Sequence, residues 1–270
     1  MLTDVTFGQY YPGRSLLHRL DPRTKLLMTL LYVVAVFVPR NWFGLGAVVA
    51  FLALTLLLSR LPFRLTLRSL KPIWPIIVIT SLINIFYVDG TVLWSWGFLH
   101  ITAQGLATAA FISVRILCLV AGSALLTYTT TPTMLTDAIE RLLSPLKKLR
   151  LPVHELAMMM TIALRFIPTL IEETDIIMSA QKARGADMES GGLLQRIRAL
   201  LPVLIPLFVS SFRRAYDLAT AMECRCYHGG EGRTRMKQPH LHARDLLCFL
   251  TGAALIAGTI CLNVFLPAVI

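Results

Sequence analysis

Long apolar runs with almost no charged residues dominate this 270-residue chain and limit what it can fold into. Four such stretches cover residues 26–58, 73–88, 103–128 and 246–266. A helix of about 20 apolar residues is long enough to cross the hydrocarbon core of a bilayer. Only 15% of the residues are charged, against roughly 25% in soluble proteins. The chain is therefore predicted to be an all-α integral membrane protein.

The first apolar run, Leu26 to Leu58, is too long for one transmembrane helix. As a single helix it would measure about 50 Å, whereas the hydrocarbon core is about 30 Å thick. Pro39, followed by Arg40 and Asn41, predicts a turn that divides the run into two short spans. With the three later runs, the sequence predicts about five transmembrane helices.

The distribution of lysine and arginine predicts how the spans are oriented. These residues are frequent in the N-terminal segment and in the connection 59–72, but absent from 89–102 and from the tail after Leu266. Because cytoplasmic connections carry the excess of basic residues, we expect a cytoplasmic N-terminus and an external C-terminus in the cell membrane. The net charge of +11 has the same explanation, and we expect no binding to nucleic acid.

A charged but still apolar segment, residues 129–243, separates the first four spans, in 1–128, from the last, in 244–270. Helical spacing of leucines within 131–152, with charges on the opposite side, predicts an amphipathic helix. Two long helices are predicted next, over 153–183 and 201–227, with Pro202 at the start of the second. We thus predict a cytoplasmic or interfacial domain of three amphipathic helices.

Charged residues argue against a transmembrane location for the two long helices. A helix that crosses the bilayer rarely carries several of them, because each is costly to bury in lipid. In the first they are Glu172, Glu173 and Asp175, and in the second Arg213, Arg214 and Asp217.

Each long helix is predicted to end in an arginine between two small residues. Arg184 lies between Ala183 and Gly185, and Arg225 lies between Cys224 and Cys226. Taken alone, each arginine is explained by the helix macrodipole, which stabilises a basic residue at a C-terminus by roughly 0.3–1 kcal/mol. The occurrence of the same small-Arg-small triplet at both helix ends favours another interpretation. Small flanks let a helix end enter a groove on another protein, where the guanidinium binds a carboxylate or carbonyl.

The remaining candidates are Glu223, the cysteines and Arg115. Glu223 precedes the second triplet and either orients its arginine or faces the partner. The five cysteines are scattered, so we expect no disulfide framework or metal site, and Cys224 and Cys226 are interpreted as small helix residues. Arg115 lies in the middle of the fourth span, where a charge needs a partner. Either the bundle or another membrane subunit supplies it.

The chain resembles the T component, the transmembrane coupling subunit, of energy-coupling factor (ECF) transporters. The resemblance extends over "TFGQYYPGRSLLHRLDPRTKL" (6–26), the segment 129–173, and the paired signatures "AQKARGAD" (180–187) and "AMECRCY" (221–227). In that family two cytoplasmic coupling helices end in Ala-Arg-Gly-like triplets, and each arginine docks on an ATPase subunit. The resemblance therefore implies that Arg184 and Arg225 dock two ATPases, with cysteines replacing the usual flanks of Arg225.

The resemblance also implies the rest of the machine. Two ABC-type ATPases bind ATP, and a small substrate-binding subunit, the S component, carries a vitamin or a metal ion. The chain itself is then not an enzyme and needs no cofactor. The opening segment is more similar to T components that serve vitamin-binding subunits than to those of cobalt or nickel importers, which stay as an alternative. A self-sufficient secondary transporter or membrane enzyme is the alternative of another class, although no internal repeat or intramembrane acid supports it.

Overall fold

A computed structural model describes residues 10–13, 15–96, 99–149, 152–186, 192–230 and 242–266. The described part contains nine α-helices and one two-stranded hairpin. The helices are α1 (Pro22–Phe37), α2 (Trp42–Ser59), α3 (Phe63–Leu70), α4 (Trp74–Tyr87), α5 (Ala103–Thr129), α6 (Pro132–Leu143), α7 (Val153–Ala183), α8 (Leu193–Glu223) and α9 (Ala243–Phe265). The strands are β1 (Val92–Trp96) and β2 (Leu99–Thr102).

The described residues fall into two compact units, and their boundary lies within α6. One unit lies within Gly8–Ala138 and Gln238–Ile270 and is called the bundle unit below. The other lies within Ile139–Lys237 and is called the coupling unit. The predicted domain division, 1–128, 129–243 and 244–270, stays a prediction.

Helix α5 is the centre of the bundle unit. It packs against α1, α2, α3 and α4, while α9 packs against α1 and α2. The core consists of apolar residues from three of these helices: Tyr32, Val36, Val48, Leu52, Cys118, Ala121 and Leu125. The apolar side chains of these helices therefore pack partly against one another in this core, and many others are exposed on the outside of the bundle unit.

A glycine allows α1 and α5 to approach closely. Gly122 of α5 faces the ring of Tyr32, and a Cβ at this position would lie 2.2 Å from Tyr32 Cε1. The ring has little room to move, since Tyr32 is only 6% exposed and its hydroxyl donates to the Cys118 carbonyl at 3.2 Å. Small residues are favoured where membrane helices pack, because they let the backbones come together.

Polar side chains close the ends of the bundle helices. Asp21, Asn41 and Thr102 accept hydrogen bonds from backbone N–H groups at the starts of α1, α2 and α5. At the other end of α5, Lys25 Nζ donates to the Thr129 carbonyl at 2.9 Å. Asn263 of α9 donates to the Val38 carbonyl at 2.7 Å, just beyond α1. These residues satisfy groups that a helix leaves unpaired at its termini.

Six helices in the described part are long and apolar enough to cross a membrane, by length and composition. They are Trp42–Ser59, Phe63–Tyr87, Ala103–Thr129, Val153–Ala183, Arg198–Glu223 and Ala243–Phe265. Four of them coincide with predicted spans, which confirms a helical membrane protein. The predicted first span corresponds to α1, which has only 16 residues. The other two are the long helices that the charge argument placed outside the bilayer.

One local prediction needs correction. Helix α8 begins at Leu193 rather than at about residue 201, so Pro202 and Pro206 lie inside it. A proline removes one backbone hydrogen bond, and the other bonds of a 31-residue helix keep the turns together. In the connection 89–102, about whose structure the sequence made no prediction, β1 and β2 pair as an antiparallel hairpin.

The contact between Gly122 and Tyr32 makes a testable prediction. Gly122→Ala should lower the stability of the bundle, on the order of 1–3 kcal/mol, because the added methyl group overlaps a buried ring. Thermal unfolding of the purified chain in detergent measures the change.

Gly46→Ala is the matched control, since a Cβ at Gly46 of α2 would meet nothing within 4 Å. There alanine should be neutral or stabilising by up to roughly 1 kcal/mol, because it favours helix more than glycine does. Equal effects of the two substitutions would contradict the packing described here.

Candidate docking site at the ends of two long helices

Helices α7 and α8 form the pair whose ends carry Arg184 and Arg225. They pack against each other within the coupling unit. Arg214 Nη2 of α8 donates to Glu173 Oε2 of α7 at 2.8 Å, and the Ser210 hydroxyl donates to Glu173 Oε1. The ion pair is partly buried, with exposed side-chain fractions of 32% for Arg214 and 21% for Glu173. Both carboxylate oxygens of Glu173 are thus satisfied by the neighbouring helix.

The two helices run antiparallel. Beyond the end of α8, Gly230 lies against the ring of His154 at the start of α7, and a Cβ there would be 2.4 Å from His154 Cδ2. Farther along α7, Glu173 contacts Ser210 and Arg214, which precede the end of α8. Increasing residue numbers in α7 therefore match decreasing numbers in α8. As a result, Arg225 lies towards the start of α7 and Arg184 at its far end.

The end of α7 is a Schellman turn. The Ala186 N–H donates to the Gln181 carbonyl at 3.0 Å, and the Gly185 N–H donates to the Lys182 carbonyl at 3.0 Å. Gly185 has a left-handed backbone, with φ at +87°. In this motif the residue before the left-handed one is the C-cap of the helix, which here is Arg184.

The end of α8 repeats this turn. The Tyr227 N–H donates to the Met222 carbonyl at 3.1 Å, and the Cys226 N–H donates to the Glu223 carbonyl at 2.8 Å. Cys226, with φ at +55°, takes the left-handed position, so Arg225 occupies the same place as Arg184. A left-handed backbone costs an L residue roughly 1–2 kcal/mol, a cost that glycine avoids. The small-Arg-small pattern therefore corresponds to a shared backbone turn at the two helix ends, and not only to small flanking side chains.

Both arginines are exposed together with their flanking residues Ala183, Gly185, Cys224 and Cys226, and so is Glu223. The turns satisfy the terminal carbonyls with backbone N–H groups, so neither guanidinium is needed for capping. Within the described ranges, neither arginine forms an ion pair or a side-chain hydrogen bond. Each helix end can therefore offer a full set of guanidinium donors to an acceptor on another molecule.

The structure does not bring the other candidate residues to this site. Arg115 belongs to α5 in the bundle unit, where its Nη2 donates to the Pro39 carbonyl at 2.7 Å and its guanidinium lies 4.8 Å from the centre of the Phe111 ring. Cys224 and Cys226 are free thiols. Among the described residues, no group of three or more His, Cys, Asp or Glu side chains is placed to hold a metal ion.

Sequence reasoning missed the contacts that hold the pair together. The acids of α7 and the arginines of α8 were treated as separate arguments against burial, whereas Glu173 and Arg214 pair with each other. Their opposite charges were the available signal. The contact of His154 Nδ1 with Glu140 Oε1, at 3.0 Å, was also missed, since it joins residues from different helices.

Comparison with known proteins gives consistent matches over most of the chain. The model of a family described as cobalt transport protein, CbiQ, matches residues 13–236. A protein of Ruminiclostridium cellulolyticum named energy-coupling factor transporter transmembrane protein EcfT is 53% identical over 259 residues, which are 96% of each chain. EcfT proteins of Acidaminococcus fermentans (53% identity, 94% of this chain and 95% of the relative) and Bacillus subtilis (49%, 88% and 90%) are also similar.

The left-handed position of Cys226 makes a second prediction. Cys226→Gly should stabilise the last turn of α8 by roughly 1 kcal/mol, because glycine adopts this backbone without strain. Hydrogen exchange of the amides in 220–227 should become slower, and Cys226→Val should make it faster.

Cys224→Gly provides the control, since Cys224 does not have a positive φ. The same change of side chain should there be neutral or destabilising by roughly 0.5–1 kcal/mol. Faster exchange in Cys226→Gly than in the unchanged chain would show that the turn is not the one described.

Proposed function

This chain belongs to the EcfT/CbiQ family of transmembrane components of energy-coupling factor transporters, and we propose that its two arginine-tipped helix ends dock two separate ATPase subunits. The chain is a multi-pass membrane protein that works in a transporter complex with other components. Its proposed role is to transmit the movement of the ATPases to a substrate-binding S component.

The observation that carries the proposal is the repetition of one structural element at opposite ends of an antiparallel pair. Helix α7 has 31 residues and is about 46 Å long at 1.5 Å per residue. Arg225 lies towards its start and Arg184 at its far end, so a large part of this length separates the two arginines. One groove on one protein does not reach both ends. Two similar grooves on two similar subunits do, because each end presents the same turn with an exposed arginine at its C-cap.

The ATPases are proposed to supply the energy, so that the chain itself is not an enzyme and binds no cofactor. Its sequence contains no glycine loop ending in Gly-Lys-Ser/Thr, the motif that cradles ATP phosphates in P-loop proteins. Cytoplasmic ATPases require the coupling unit on the cytoplasmic side. This agrees with the orientation from basic residues, a cytoplasmic N-terminus and an external C-terminus.

Substrate specificity is proposed to belong to a separate vitamin-binding S component. The choice of a vitamin rests on the opening segment 6–26, which is more similar to T components that serve vitamin-binding subunits. A cobalt or nickel importer, to which the description of the matching family model refers, is the alternative. A helix surface suited to a membrane partner is present on α8, whose exposed apolar residues recur three or four positions apart: Leu201, Leu204, Ile205, Phe208 and Phe212. For Arg115 we propose a role inside the bundle, supported by its hydrogen bond to Pro39.

The docking role predicts that Arg184→Glu combined with Arg225→Glu releases the ATPases and stops uptake. Each substitution replaces a cationic hydrogen-bond donor by a carboxylate, which would repel the oxygen atoms that the arginine is proposed to bind. Loss of one partner of a buried charged contact costs about 2–5 kcal/mol. This corresponds to at least roughly 30-fold weaker binding for each arginine. Co-purification of both ATPases with the tagged chain, and ATP-dependent uptake, measure the effect.

Arg165→Glu combined with Arg213→Glu is the matched control, because both arginines are exposed on the same two helices but away from their ends. It changes the net charge equally and should retain both ATPases. Full ATPase recovery with the Arg184/Arg225 double variant would exclude the docking role.

A further inference from the structure

Helix α3 and the residues at its two ends form a basic surface that belongs to the bundle unit, not to the coupling unit. Four cations occur between the end of α2 and the start of α4: Arg60, Arg64, Arg68 and Lys71. All four are exposed, and the stretch from Arg60 to Lys71 contains no acidic residue. Within the described ranges, none of the four forms an ion pair. Their positive charge is therefore not neutralised by this part of the chain.

The rest of the bundle holds α3 in one orientation. The Tyr128 hydroxyl of α5 donates to the Leu65 carbonyl at 3.3 Å, and Thr66 is only 5% exposed. Because α3 packs on α5 through this side, the side that faces outward is determined. The four cations are therefore presented by a folded surface and not by a loose loop.

An apolar stripe lies beside the basic residues. Phe63 and Leu67, four positions apart, are 71% and 49% exposed. Arg64 and Arg68 each follow one of them by one position, which places them about 100° around the helix. The outward side of α3 thus offers a hydrocarbon surface and a cationic surface next to each other.

The level of α3 relative to a bilayer follows from its continuation into α4. Residues Phe63–Tyr87 form one of the six stretches able to cross a membrane. A core of about 30 Å accommodates about 20 helical residues, so counting back from Tyr87 places the inner boundary near Arg68. Arg64 and Arg60 then fall in the layer of lipid headgroups, and Lys71, three residues inside the boundary, can extend its long side chain back to that layer.

We propose that the basic face of α3 binds the phosphate groups of anionic phospholipids in the cytoplasmic leaflet. A phospholipid carries its phosphate next to the beginning of its acyl chains, joined through glycerol, so one molecule can contact both the cationic and the hydrocarbon surface of α3. Guanidinium groups bind phosphate through two parallel hydrogen bonds, which favours arginine here. The proposal does not depend on ATPase docking, because it concerns another unit of the chain.

The test measures lipids that remain bound to the full-length chain. The chain is reconstituted into nanodiscs of phosphatidylcholine with a minor fraction of phosphatidylglycerol, and retained lipids are counted by native mass spectrometry. The variant Arg60→Gln, Arg64→Gln, Arg68→Gln, Lys71→Gln should lose at least roughly tenfold of the preference for phosphatidylglycerol, since each cation near an anionic surface contributes about fivefold. The preference of the unchanged chain should also decrease at high salt.

The control removes four exposed cations from other helices, by Arg165→Gln, Arg198→Gln, Arg213→Gln and Arg244→Gln. It should retain the preference within about twofold, since these four cations are spread over three helices and are not grouped on one surface. If the fourfold α3 variant does not fold, Arg64→Gln with Arg68→Gln tests the same face with both changes inside the helix.

Two results would overturn the proposal. In one, the α3 variant and the unchanged chain retain the same ratio of the two lipids, or the control loses as much as the α3 variant. In the other, the α3 variant keeps its phosphatidylglycerol but no longer co-purifies with the ATPases. That second result would make the basic face a contact with protein.

Discussion

The constraint on which the rest of this structure depends is the need to satisfy backbone groups at helix ends. Helices pair their own N–H and C=O groups except in the first and last turns, and in lipid an unpaired group has no water to bind. The bundle answers with side chains from neighbouring helices. Lys25 of α1 donates to the last turn of α5, and Asn263 of α9 donates to the carbonyl just beyond α1. Asp21, Asn41 and Thr102 cap their own helices, whereas Lys25 and Asn263 act on another helix, so the bonds of these two also hold neighbouring helices together.

The coupling helices meet the same need in a different way. At the ends of α7 and α8, backbone N–H groups of the turn satisfy the carbonyls, and the arginine at each C-cap contributes only its backbone. Its side chain is left exposed, which suits binding to another protein. Cys226 keeps the left-handed turn at a site where glycine would be unstrained, so the geometry is retained at some cost in stability.

Charged side chains likewise fall into two groups, those that are paired within the chain and those that are exposed. Inside the bundle, Arg115 is matched by the Pro39 carbonyl and the Phe111 ring, while in the coupling unit Glu173 and Arg214 satisfy each other across the helix pair. Removing one partner of such a pair leaves the other charge uncompensated, which disfavours helix arrangements that separate the two. The exposed arginines at the ends of α7 and α8 and the exposed cations around α3 are of another kind, since they form no ion pair within the described ranges, and for them we propose partners outside the chain.

The sequence by itself determined the class of protein, the positions of most helices, and the location of Arg184 and Arg225 at the ends of two long helices. Helix α7 covers the predicted range 153–183, and the break at Pro39 separates α1 from α2. These features follow from local patterns: apolar runs, proline and small residues. The onset of α8 was misplaced because a proline inside a long helix has the same local signature as one at its start.

Only the tertiary structure decided that α7 and α8 are antiparallel, that Glu173 pairs with Arg214, and that the two arginines lie at opposite ends. Such facts depend on contacts between residues far apart in the chain, and local periodicity does not encode which faces meet.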